Sequence, residues 1–160
     1  MIGQSHAAKI WKDRYPAMQV VTPQGARPKV EELLAVDTVT PDFRDLELEF
    51  MAVAGTRGHE AALLVRSGEG CTLILNDLVG NNRDAKGFGG WLLRMAGFAG
   101  DEQNIPSVVK MTMVSDIQAL RLQLIEWAAM PNLTRIVVSH GDIIEDNPRL
   151  ALRELAASLD

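Results

Sequence analysis

Hydrophobic and polar positions alternate most clearly between Leu46 and Leu78, in LELEFMAVAGTRGHEAALLVRSGEGCTLILNDL. Leu46, Leu48, Phe50 and Ala52 alternate with Glu47, Glu49, Met51 and Val53, which predicts a strand with the first set on its buried face. Gly55 and Gly58 break the run. Ala61 to Val65 then forms a short apolar strand, and Ser67-Gly68-Glu69-Gly70 turns the chain back into a third strand, Cys71 to Leu75. Because side chains alternate, Leu73, Leu75 and Asp77 share a face, and the carboxylate falls where an inward row ends.

The flanking segments follow a helical period. Ala8, Trp11 and Tyr15 predict a helix over residues 5–14 that Pro16 stops, and Met18 to Val21 predicts a short strand ended by Thr22-Pro23. Pro28 suits a first helical turn, with Val30, Leu33 and Leu34 as a brief apolar stripe before a polar connector from Asp37 to Asp45. Late in the chain, Ser115 and Gln118 have capping-box spacing. Asp116 favours the positive end of the helix that carries Ile117, Leu120, Leu124 and Ala128. Thr134 to Ser139 is an apolar strand running into His140-Gly141-Asp142. Asn147-Pro148 then opens a last helix with Leu152, Leu155, Ala156 and Leu159 on its buried side. An early hairpin followed by helix, strand and helix predicts an α/β (α+β) chain, a mixed sheet flanked by helices, in a single domain spanning residues 1–160.

Between these regions lies GNNRDAKGFGGWLLRMAGFAGDEQNIPS. Phe88, Trp91, Leu92, Met95 and Phe98 could line one helical face there, but the glycines from Gly87 to Gly100 weaken such a helix. Lys86 with Gly87-Phe88-Gly89-Gly90 lacks the spacing of a nucleotide-binding fingerprint. The segment fits a connection that tucks its aromatic residues into the core, or a partner contact, equally well.

Composition narrows the classes. The formal charge of -5, with no Lys/Arg-rich block, argues against a nucleic-acid partner. No stretch approaches the length of a membrane span, and no apolar leader follows a basic start, which points to the cytoplasm. The lone Cys71, inside an apolar strand, excludes an internal disulfide and fits a small hydrophobic residue better than a nucleophile.

The candidate chemistry is carried by His59, Asp77 and His140, each at the end of a predicted strand. Two imidazoles and a carboxylate suit zinc or another divalent transition metal, and they also suit acid-base work with Asp77 orienting a histidine. Taken singly, each fits an ordinary turn residue. His6, at the start of the first helix, has no ligand-spaced partner. Ser139 is adjacent to His140 and so faces away from it on a strand, a poor arrangement for a nucleophile and its base.

In this order, Gly58-His59, Leu75-Asn76-Asp77 and Ser139-His140-Gly141-Asp142 with a helix after them resemble the second half of the metallo-β-lactamase-like superfamily. The resemblance implies that His59, Asp77 and His140 are metal ligands and that the sheet is one half of an αββα sandwich. The family's H-x-H-x-D-H loop is absent, so the chain resembles a degenerate or truncated member without the N-terminal portion. Three donors are too few for two ions with an activated water between them. Two expectations follow: a protein acting through protein contacts, or a reduced metal-dependent hydrolase with one ion on an unknown small-molecule substrate. A single sheet whose strands are apolar almost throughout further predicts a homodimer that hides one face.

Overall fold

The computed structural model of the chain describes residues 2–81, 105 and 114–159, and of residues 2–6, 77, 80, 81 and 140 only the backbone. The elements run α1 (Ile2–Arg14), α2 (Arg27–Glu31), β1 (Leu48–Ala52), β2 (Ala61–Ser67), β3 (Gly70–Asn81), α3 (Ile117–Ala129), β4 (Leu133–Gly141) and α4 (Pro148–Ala157). The expected aromatic helix face at Phe88, Trp91, Leu92, Met95 and Phe98 lies outside the described residues.

The four strands form one mixed sheet in the order β1-β2-β3-β4. β1 with β2 and β2 with β3 are antiparallel, while β3 and β4 are parallel. Gly68 and Glu69 make the hairpin turn between the paired Ser67 and Gly70, as their turn chemistry predicts. The parallel pair needs a long crossover, and α3 lies within it.

One face of this sheet carries the core. The facing rows Ala62–Leu75–Val138 and Leu64–Leu73–Ile136 are each 8% exposed or less. They pack with Leu120, Leu124, Trp127 and Ala128 of α3 and with Ala151, Leu152, Leu155 and Ala156 of α4 in one cluster. Burying each of these leucines contributes roughly 2 kcal/mol. The helical periods read from the sequence hold for Leu120, Leu124 and Ala128 of α3 and for Leu152, Leu155 and Ala156 of α4, whereas Ile117 is 47% exposed and Leu159 is buried but lies past the end of α4.

Three local expectations are corrected. β1 turns its other side to the core: Val53 is buried and Met51 packs against the cluster, whereas Ala52 is exposed and Leu46, before the strand, is 97% exposed. Alternation identifies two faces but not which of them a helix will cover. No strand forms over residues 18–21. Only a bridge of Val21 to Thr38 is present there, because Val20 N–H donates to Asp37 Oδ2 at 2.7 Å and the Val20 carbonyl accepts from Asp37 and Thr38. At the start of α3 the cap is Asp116, whose Oδ1 accepts from Ala119 N–H at 3.0 Å. Ser115 is taken up elsewhere, donating from Oγ to the Gly55 carbonyl at 3.1 Å.

Candidate functional site

The turn before β2 is built from unusual backbone. Gly55, Arg57 and Gly58 all have positive φ, at 74°, 53° and 70°. For Arg57 that left-handed conformation costs about 1–2 kcal/mol, so its surroundings must hold it. They do so from within and from two sides. Inside the turn, the fully buried Thr56 donates from Oγ1 to the Val53 carbonyl at 2.7 Å, and His59 N–H donates to the Thr56 carbonyl at 3.0 Å. From the α3 side, the Gly55 carbonyl accepts from the N–H groups of Ser115 and Asp116, and Ala54 N–H donates to Gln123 Oε1 at 2.6 Å. From the N-terminal side, Gly25 N–H donates to the Gly58 carbonyl at 2.8 Å.

His59 stands at the end of this rigid turn, exposed. Glu60 follows it and is 3% exposed. Val53 N–H donates to the Glu60 carbonyl at 2.9 Å, which fixes the backbone as β2 begins.

Asp77 lies in an irregular part of β3. Leu75 pairs with Val138 and Gly80 with His140, so β3 spends residues 76–79 where β4 spends Ser139 alone. Such a bulge bends a strand and re-aims its residues, and it occurs frequently beside active sites. It is anchored at its start by Ser139 Oγ, which donates to Asn76 Oδ1 at 2.7 Å, and both Leu78 and Val79 are buried. His140 sits one residue from the end of β4, opposite Gly80.

The topology thus brings the start of β2 and the ends of β3 and β4 to one end of the sheet. Ala62 pairs with Leu75 and Leu75 with Val138, and His59, Asp77 and His140 all lie just beyond that row. The side chains of Asp77, His140 and His6 are not among those described. Among the described residues, no three His, Cys, Asp or Glu side chains form a group that could hold a metal ion. In donor chemistry the three residues fit a single ion completed by water. They are too few for a two-metal centre.

Sequence reasoning passed over Glu60. Its signal was positional, since it precedes Ala62 and Leu64 by two and four residues and so shares their buried face. An open groove of about 540 Å³, lined by Leu133, Thr134, Glu145 and Arg149 among others, lies at the opposite end of β4 and takes no part in this cluster. The chain matches no family model and no curated protein. No helix of the described residues is long and apolar enough to cross a membrane.

Proposed function

We propose that this chain is a metallo-β-lactamase-like protein that works through protein contacts, as a homodimer joined by the sheet face opposite α3 and α4. One observation carries the reading. Phe50, Leu63, Ile74 and Val137 stand side by side in register across all four strands on that face. All four are half-buried, and none belongs to the core beneath the helices. Leu48 and Val65 extend the apolar row at the β1 edge. A mixed sheet with an apolar row on each face requires cover on both. A second copy related by a two-fold axis supplies a matching row, and that is the commonest arrangement among oligomers. The half-buried Cys71 and the acidic balance of charge accord with a cytoplasmic location.

Light scattering of the purified chain at micromolar concentration tests this. A mass about twice the 17.5 kDa of one chain supports the dimer, and a mass near 17.5 kDa refutes it.

A second reading rests on the gathering of strand ends. His59, Asp77 and His140 lie at one end of the sheet beside a bulged strand, and a single zinc or similar divalent ion is the cofactor such donors suit. In that case the ion would supply Lewis-acid chemistry toward a small-molecule substrate. Calorimetric titration of Zn²⁺ into the chain tests the reading, which fails if no heat of binding is seen.

A further inference from the structure

We propose that the outer edge of β1 is a docking site for an extended segment of a partner protein in which apolar and basic residues alternate, added to the sheet as a further strand. The inference goes beyond the dimer and metal readings and depends on neither.

Two hydrogen bonds fix which way the backbone of β1 points. Arg66 N–H donates to the Glu47 carbonyl at 2.8 Å and Val53 N–H to the Glu60 carbonyl at 2.9 Å, at the two ends of the ladder between β1 and β2. In an antiparallel pair, positions that bond the neighbouring strand alternate with positions whose N–H and carbonyl point away from it. Glu47, Glu49, Met51 and Val53 therefore bond toward β2, and Phe50 and Ala52 turn both their N–H and carbonyl groups outward. Leu48 adds its carbonyl, since its N–H donates to the Asp45 carbonyl at 3.2 Å. Among the described residues, nothing bonds these outward groups.

The other edge of the sheet is closed. On β4 the Ile136 N–H and carbonyl are both bonded to Ile144, at 2.9 Å each. No such bridge protects β1 among the described residues, and Leu46 just before it is 97% exposed. An open edge of this kind is a template for a pairing strand.

Charge selects the occupant. Asp42, Asp45, Glu47 and Glu49 are exposed along this edge. Arg44 meets Asp42 at 3.8 Å and Arg66 meets Glu49, which leaves Asp45 and Glu47 without a cation at ion-pair distance among the described residues. Edge charges turn most strands away, and a second copy of β1 is one of those. Paired about a two-fold at Glu49, two copies would set Glu49 against Glu49. Paired about Phe50, they would set Glu47 against Val53 and Glu49 against Met51, with no cation for either carboxylate. A strand with Lys or Arg at every second position instead meets Glu47 and Glu49 directly across the ladder. Its intervening residues fall on the other face, beside the half-buried Leu48 and Phe50, and an apolar side chain suits that place. Main-chain bonds to Phe50 and Ala52 supply the affinity and the alternating side chains supply the selection.

The test is fluorescence anisotropy of a labelled Lys-Val-Lys-Val-Lys-Val peptide titrated with the full chain, beside Glu-Val-Glu-Val-Glu-Val and Lys-Val-Lys-Pro-Lys-Val. We expect the basic peptide to bind and the acidic and proline peptides to bind at least ten-fold more weakly. Ala52→Pro removes an outward N–H from an exposed edge position and leaves the bonds to β2, so it is expected to keep the melting temperature and to weaken the basic peptide at least ten-fold. Should Ala52→Pro melt lower, the proline peptide reads the same kind of bond without altering the chain. No binding of the basic peptide at about 100 μM chain overturns the proposal. So does equal binding of the proline peptide, which would leave charge attraction alone, and equal binding of the acidic peptide overturns the choice of partner. Light scattering of Ala52→Pro separates this contact from the dimer reading. A mass half that of the unaltered chain would show a second copy on the edge and overturn the partner proposed here, whereas an unchanged mass, whether of one chain or two, supports it.

Discussion

Gly25 and Gly58 meet backbone to backbone: the Gly25 N–H donates to the Gly58 carbonyl at 2.8 Å, and a Cβ on Gly25 would stand 2.5 Å from the Arg57 carbonyl oxygen. Through this contact the segment after α1 braces the turn that precedes His59 and Glu60. On the other flank, a Cβ on Gly55 would meet the Asp116 carbonyl oxygen at 2.1 Å. The turn is therefore clamped between two neighbours that both require glycine.

Replacing these glycines separates the two clamps. Gly55→Ala adds a left-handed penalty to the clash and is expected to cost about 3 kcal/mol, whereas Gly25→Ala, with the clash alone, costs about 1–2 kcal/mol. Urea unfolding midpoints of the two variants check the order, with Gly55→Ala the lower.

The sheet's two faces differ in what a substitution does. Leu73→Ala removes a fully buried side chain and is expected to lower stability by about 3 kcal/mol, in the range for core leucines. Ile74→Lys, one residue on and half-buried on the opposite face, leaves helix content intact. If the proposed dimer forms through this face, light scattering is expected to read a mass near 17.5 kDa for the Ile74→Lys chain and about twice that for the unaltered chain.

Asp116→Ala removes the acceptor for Ala119 N–H at the start of α3 and is expected to cost about 1 kcal/mol. Ser115→Ala costs less, because the Gly55 carbonyl keeps the Ser115 and Asp116 N–H groups after the hydroxyl is gone. Thermal melts of the two variants at neutral pH decide the order.

Asp37 gives the fold a share of its acid sensitivity. Its carboxyl is held below its ordinary 3.8 first by the hydrogen bond from Val20 N–H and then by the Lys12 ammonium. A depressed folded pKa means that the ionised form is favoured by folding. Its contribution is complete above the ordinary value and disappears as pH falls through the lower one. Asp37→Asn should therefore melt below the unaltered chain at pH 7, with the gap narrowing below about pH 4. A gap of constant size down to pH 2 would show that the carboxylate's charge is not what holds Val20.

Much of the secondary structure was legible because its causes are local. The hairpin at Gly68-Glu69, the break at Pro16, and the buried sides of the two late helices follow from turn chemistry and period, which act over a few residues. Where two partners competed for one group, the outcome was tertiary. Asp37 claimed the backbone of Val20 and prevented a strand. Gly55, 60 residues before Ser115, claimed that hydroxyl and left the cap to Asp116. The same holds for the site. The sequence pattern sets Asp77 and His140 just past their strands, whereas β3 runs on to Asn81 and β4 to Gly141 and both residues lie inside them; that they and His59 come to one end of the sheet follows only from the pairing of Ala62 with Leu75 and of Leu75 with Val138. Which face the helices cover was likewise undecided by alternation. The sequence by itself determined where the chain extends, coils and turns, since those preferences belong to each residue and its neighbours. The tertiary structure alone decided that Val53 and Glu60 are inside while Ala52 and His59 are outside, because burial depends on what packs against a face.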